Sequence, residues 1–247
     1  MKNILLMLMA FICSSCTGCV SVSQEGYTGY KALLRAVGST VAIGSFLPTY
    51  EDVTKLPKGT KPKIVGANFQ RYGTGVVVKG SGSSNIVLTA EHVAMLFYPL
   101  PAYACSIVNE SCVPLGDKLM LELDSLPHDL GSDWAMYNVE KLPKDTQSVK
   151  FSKRNILLGE PLWAIGVPYG RSPRISKGQV SWIQDAGKGN KLIAVDGFAA
   201  PGFSGGGMFT MNGVLIGLTI AIEMNSRGEP STDQVLMIPL SNIWGLN

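Results

Sequence analysis

Charge is scarce in this chain. Only 16% of its 247 residues are Asp, Glu, Lys or Arg, and the formal net charge is +3. No stretch gathers Lys and Arg densely enough for the basic stripe that nucleic-acid binding needs, so nucleic acid is excluded as a partner. Metal-ligand spacing is missing as well. Neither the five cysteines nor the two histidines fall in a Cys/His ligand pattern, and no phosphate-cradling glycine loop opens a helix. No metal and no organic cofactor is therefore implied. The apolar run near the start, Ile4 to Ile12, is too short for a membrane span. Internal repeats are absent too.

Glycine and proline are plentiful, 28 and 14 residues. That composition suits many short strands joined by tight turns, and the length suffices for one large all-β domain or two small barrels sharing an interface. Strand patterns recur from Ser39 to Phe46, Tyr72 to Lys79, Asn85 to Thr89, Leu119 to Leu123 and through several segments after Asn155. Tyr30 to Val37 carries Leu33, Leu34 and Val37 at helical spacing. The polar stretch Lys141 to Lys153 reads as the link between two halves.

The N-terminus reads as an export signal. Lys2 precedes the apolar run, and small residues and cysteines follow it. Residues 1–18 are assigned to the signal and 19–29 to a tether. Cys13, Cys16 and Cys19 lie where a bacterial lipoprotein carries its acylated cysteine. The Cys16 frame abuts the apolar run more closely, and the Cys19 frame has the better small residue before it; both depart from the lipoprotein pattern three positions earlier. Lipidation at Cys19 leaves Cys105 and Cys112 as an even pair, which suits an oxidising compartment and favours Cys19 over Cys16. Cys105 and Cys112 are expected to close a hairpin loop as a disulfide, the alternative being two buried thiols. The expected location is exported, periplasmic or lipid-anchored to a membrane of the bacterial cell envelope.

Three separated stretches carry chemistry. Pro201-Gly202-Phe203-Ser204-Gly205-Gly206-Gly207 sets a serine in a glycine run, where unusual φ values and close substrate approach are permitted. Ile86 to Val93 reads as a buried strand ending in a Thr-Ala-Glu-His turn that delivers His92. Asp133 stands at the start of an apolar strand, with Asp129 as its rival. A hydroxyl is a poor nucleophile near neutral pH. It needs a base to take its proton, and that base needs a partner to fix its tautomer. Ser204, His92 and Asp133 supply these parts; His128, on a loop without strand-turn context, does not.

These stretches resemble a chymotrypsin-fold serine peptidase, closest to the HtrA/Deg branch. Leu158 to Gly170 is similar to that branch's strand and Ala-Ile-Gly-Xaa-Pro-aromatic-Gly loop, Gly178-Gln179-Val180-Ser181 resembles the next strand, and Asp196 stands eight residues before Ser204. The likeness spans residues 30–247. It implies an all-β fold of two six-stranded antiparallel barrels, about 39–145 and 155–247, with the active site between them. It implies a serine endopeptidase: Ser204 as nucleophile, His92 as base, Asp133 as its partner, and the N–H groups of Gly202 and Ser204 as the oxyanion hole. Phe198 stands where trypsin-like enzymes keep an acidic pocket residue, and Thr219, Ile220 and Ala221 should line the same pocket, so cleavage after aliphatic residues is expected. Asp196, displaced by two positions from that place, is expected to brace the loop. The expected partners are polypeptide substrates, and the family's homo-oligomer stays open for this chain. With 43 residues after Ser204, a C-terminal PDZ domain is not expected. Two other readings remain: a non-catalytic binding module on the same fold, and a processing protease dedicated to one partner.

Overall fold

In the computed structural model of this chain, residues 24–80, 84–96, 102–108, 111–114, 120–122, 133–139, 142, 146–224, 230–243 and 246 are described. The export segment with Cys13, Cys16 and Cys19 lies outside them, as do His128 and Asp129.

A helix, α1 (Gln24–Gly38), leads into the first sheet. It begins inside the segment expected as a tether. Leu33, Ala36 and Val37 dock on the core, and once those turns are ordered each upstream residue that joins gains a hydrogen bond. The helix stops where two hydroxyls take over from the backbone. Ser39 Oγ and Thr40 Oγ1 donate to the Ala36 carbonyl at 2.8 and 2.9 Å, satisfying an acceptor that helix termination would otherwise leave open.

Seven antiparallel strands follow: β1 (Thr40–Tyr50), β2 (Ile64–Lys79), β3 (Asn85–Thr89), β4 (Tyr103–Val108), β5 (Ser111–Pro114), β6 (Met120–Glu122) and β7 (Ala135–Val139). Their spatial order is β5-β4-β1-β2-β3-β7-β6. The sequence led to six strands here. The seventh arises because β5 folds straight back on β4, with Val108 opposite Ser111. Among the described residues β5 and β6 are not paired with each other. Val76, Val77 and Val78 are all fully buried, so this part of β2 is covered on both faces, as its unbroken apolar run suggests.

The second half is a closed six-stranded barrel, ordered β10-β13-β12-β11-β8-β9. Its strands are β8 (Pro161–Gly166), β9 (Arg174–Gly187), β10 (Asn190–Asp196), β11 (Gly207–Thr210), β12 (Leu215–Met224) and β13 (Pro230–Pro239). Gly187 to Asn190 is the turn that connects β9 and β10, with Gly187 opposite Asn190. Leu162, Ile193, Met208, Ile216, Val235 and Met237 fill the interior.

Sheet and barrel are packed together. The connecting segment pairs Val149 with Val78 and then Phe151 with Leu215. One apolar cluster runs from Val41, Val78 and Leu88 to Phe209, Leu218 and Ile238. Burying each such side chain stabilises the fold by about 2 kcal/mol, so the shared cluster ties the two halves together.

Candidate active site

His92 sits just past β3, in the short helix α2 (Glu91–Met95). The following Val93 and Ala94 are buried and anchor that turn, while the His92 side chain stays 45% exposed. Asp133 reaches it through strand register. Thr89 pairs with Ala135 across β3 and β7, and continuing that antiparallel register sets Asp133 beside the turn that carries His92. One carboxylate oxygen, Oδ1, accepts the His92 backbone N–H at 2.9 Å, and Oδ2 lies 2.7 Å from Nδ1. A carboxylate can only accept, so Nδ1 carries the proton and Nε2 presents a lone pair.

The serine loop is built as tightly. The Phe203 N–H donates to the Ala200 carbonyl at 3.0 Å, closing a turn with Pro201 and Gly202 at its centre. Gly202 has φ +99°; Pro then Gly with positive φ is the pattern of a type II turn. Phe203 is 1% exposed and plugs the barrel, its ring centroid 6.2 Å from that of Phe198. Gly205 has φ +81°, and a Cβ there would come within 2.1 Å of both the Thr74 carbonyl oxygen and Thr89 Oγ1. Both positions therefore require glycine.

Every carbonyl of the Pro201–Ser204 loop but that of Phe203 is held from another strand or loop. The Tyr169 N–H donates to the Pro201 carbonyl at 2.9 Å. The Thr74 hydroxyl donates to the Gly202 carbonyl at 2.5 Å, and the Thr74 N–H donates to the Ser204 carbonyl at 2.8 Å. The Phe203 carbonyl accepts the Gly206 N–H within the loop at 2.7 Å. Among the described residues the N–H groups of Gly202 and Ser204 have no partner. Because the two ends of a trans peptide point opposite ways, anchoring the Pro201 carbonyl on Tyr169 turns the Gly202 N–H away from it.

Ser204 Oγ donates to the Ile220 carbonyl at 3.5 Å and makes no hydrogen bond to His92 among the described residues. Ile220 lies at a register shift of the β12–β13 ladder, between Thr219 and Ala221. Such a bulge re-aims the backbone.

The remaining sequence candidates fall as follows. Phe198 is 49% exposed, its N–H donating to Ser176 Oγ at 2.8 Å. Thr219 and Ile220 are 1% and 2% exposed; the Thr219 backbone pairs with Gly205 and Gly206 of the serine loop, and its buried hydroxyl has no partner among the described residues. The Ala221 side chain lies outside what is described. Asp196 Oδ1 accepts from Gln234 Nε2 at 3.2 Å across β10 and β13. Cys105 is disulfide-bonded, and β4–β5 pairing puts Cys112 opposite Ile107, diagonal to Cys105. Thr74, Tyr169 and the Ile220 carbonyl were not among the sequence candidates. The signal for Thr74 was its setting between Gly73 and Gly75; the other two act through backbone atoms and leave none.

Fold and site together define a two-part β protein with a serine loop and a His–Asp pair at the junction of its halves. Residues 73–218 match the family described as trypsin-like peptidase domain, and the chain belongs to that family. A relative from Haemophilus influenzae, described as a probable periplasmic serine protease do/HhoA-like, is 30% identical over 167 residues, covering 65% of this chain and 33% of its own. The periplasmic pH-dependent serine endoprotease DegQ of Escherichia coli is 25% identical, with 75% of this chain and 38% of its own covered. The chain thus spans little more than a third of the length of these curated relatives. Among solved structures, the HtrA-type protease AlgW with decapeptide superposes with a TM-score of 0.62 at 19% identity, covering 85% of this chain and 63% of the other. The Rv3671c protease in its inactive form gives 0.56 at 15% identity, covering 92% and 96%. At that identity these two establish the fold.

Proposed function

We propose that this chain is a serine endopeptidase that hydrolyses exposed or unfolded polypeptides in the cell envelope. The observation that carries the reading is the His92–Asp133 pair, its tautomer fixed, beside a serine loop with two unpaired N–H groups. Ser204 Oγ attacks the scissile carbonyl carbon while its proton passes to His92 Nε2. The carbonyl oxygen becomes an oxyanion that accepts from the Gly202 and Ser204 N–H groups. Loss of one such donor typically raises the barrier by about 3 kcal/mol. His92 then protonates the leaving amine, and water releases the acyl group by the same steps. Before attack Ser204 rotates off the Ile220 carbonyl, a rearrangement within reach of unliganded active sites.

The first sheet acts on this reading as the counterpart of the closed barrel, the two forming a double-barrel fold with the site between them. Half-exposed Phe198 over Phe203 supports an apolar specificity pocket, with Thr219, Ile220 and Ala221 on its wall, and cleavage after Val, Ala or Leu. Cys112 is the partner assigned to Cys105. The relatives described as periplasmic support export, with Cys19, or Cys16, as the lipid-bearing residue; labelled palmitate incorporated by the wild type and lost on Cys19→Ser or Cys16→Ser reads this out.

The Ser204–Ile220 hydrogen bond favours a second reading, a binding module on the same fold. A fluorophosphonate probe, with Ser204→Ala as control, separates the two. Labelling of the wild type alone supports the peptidase. No labelling of the wild type, even with unfolded polypeptide added, refutes it.

A further inference from the structure

Gly73-Thr74-Gly75 is the tripeptide through which β2 touches both halves of the site. A Cβ at Gly73 would lie 2.4 Å from Val93, the residue after His92. The Thr74 carbonyl accepts the Thr89 hydroxyl at 2.6 Å, and Thr89 ends the strand that delivers His92. Toward the serine, the Thr74 N–H holds the Ser204 carbonyl and its hydroxyl holds the Gly202 carbonyl, at 2.8 and 2.5 Å. The same hydroxyl accepts the Val167 N–H at 2.8 Å. Thr74 is fully buried, so its hydroxyl is saturated by protein groups and aimed by them.

We propose that Thr74 is the positioning residue of this site, its hydroxyl fixing the Gly202–Phe203 peptide and thereby the pair of oxyanion donors on either side of Phe203. The inference rests on the peptidase reading. The hydroxyl is the specific agent. It donates to one loop and accepts from another, a pairing that no apolar side chain supplies. A backbone N–H alone would tether Ser204 yet leave the Gly202 carbonyl without a donor inside the protein, and a buried carbonyl without a donor is driven to seek one. The accessible route is rotation of the adjoining peptides, which swings the Gly202 N–H off its aim. Thr74 touches neither the reacting atoms nor His92, so it acts on the rate of attack and not on proton affinity at the imidazole.

The test is the full chain reacted with a fluorophosphonate probe over a concentration range, giving the limiting rate and the half-saturating concentration separately, as a function of pH. Thr74→Val keeps the shape and removes the hydroxyl; Thr74→Ser keeps the hydroxyl and removes the methyl. The expected result is a fall in the limiting rate on the order of a hundredfold for Thr74→Val. Half-saturation and the pH profile should stay unchanged, and Thr74→Ser should remain within about threefold of the wild type. A Thr74→Val chain that labels at the wild-type rate overturns the proposal. So does a folded Thr74→Ser chain whose limiting rate falls on the order of a hundredfold, and this arm decides the matter even where Thr74→Val does not fold. A wild type that fails to label at all overturns the peptidase reading and the Thr74 role with it.

Discussion

Replacing Asp133 by Asn isolates what the carboxylate does for His92, because shape is kept and only hydrogen-bond polarity changes. The carboxylate serves two donors at once: the His92 backbone N–H at 2.9 Å and Nδ1 at 2.7 Å. An amide has one acceptor. If its oxygen stays on the backbone N–H, its NH2 faces Nδ1, which must then give up its proton and accept. If the amide is flipped, two donors meet 2.9 Å apart, which is repulsive. The first arrangement wins, and it moves the imidazole proton to Nε2, the atom that on the peptidase reading receives the Ser204 proton. The wrong tautomer in a Ser-His-Asp site lowers kcat by about 10⁴, about 5 kcal/mol of barrier. Folding is affected far less, because the backbone bond survives: about 1 kcal/mol. The assay pairs the fluorophosphonate labelling rate with a urea midpoint on the same preparation. A labelling loss of less than tenfold for Asp133→Asn refutes the tautomer argument and returns Asp129 as the candidate partner. A large loss of stability instead shows that Asp133 is structural.

Two predictions concern stability. Arg154 grips Glu160 with both terminal nitrogens, one at 3.0 Å to Oε2, and holds its carboxyl below the ordinary carboxylate range, with the Leu157 N–H assisting and burial opposing. A carboxylate with a lowered folded pKa contributes stability above its unfolded value, about 4.3, and loses it as pH falls through the folded one. Glu160→Gln should therefore lower the urea-derived stability by about 1 kcal/mol at pH 7, a modest figure because Arg154 is 42% exposed, and the difference should close toward pH 3; an equal difference at both pH values counts against the ion pair. Tyr137 is fully buried with its hydroxyl unpartnered among the described residues, and burial raises its pKa; Tyr137→Phe should leave stability unchanged or raise it by up to about 1 kcal/mol, and a clear loss would mean that the hydroxyl has a partner.

The parts of the site that sequence reveals are those where chemistry restricts residue type. Ser204 stands among glycines because Gly202 and Gly205 adopt φ values of +99° and +81°, and that need is written in the glycines themselves. His92 and Asp133 were legible because each adjoins an apolar strand, and strand register brings them together. The strands of the second half were marked by apolar segments and turns, while their closure into a barrel came from the family resemblance and not from the pattern: β9 carries only scattered buried positions. Backbone hydrogen bonds at long range leave no such mark. The Pro201 carbonyl is met by Tyr169, and any residue with an N–H would serve there. The Ile220 carbonyl turns toward Ser204 at a bulge, which depends on the register of β13, not on isoleucine. The seventh strand and the upstream turns of α1 belong to the same class, set by neighbours already folded.

That division bears on how the site rests. On the peptidase reading the hydroxyl of Ser204 exchanges its present acceptor, the Ile220 carbonyl, for His92 Nε2. At 3.5 Å the first bond is at the outer limit of hydrogen bonding and holds the side chain weakly. Releasing it breaks no other hydrogen bond of that side chain among the described residues. The Gly202 N–H is different. Turning it over would rotate the peptide whose carbonyl is fixed by Tyr169 at 2.9 Å, in a loop so close to its neighbour that a Cβ added at Gly202 would lie 2.7 Å from the Val167 carbonyl oxygen. The oxyanion donors are thus the rigid part of the site and the nucleophile the loose part. On the peptidase reading, approach of a substrate carbonyl to donors already aligned precedes the swing of Ser204 to His92, so the resting enzyme needs a rotamer change and no loop refolding before attack.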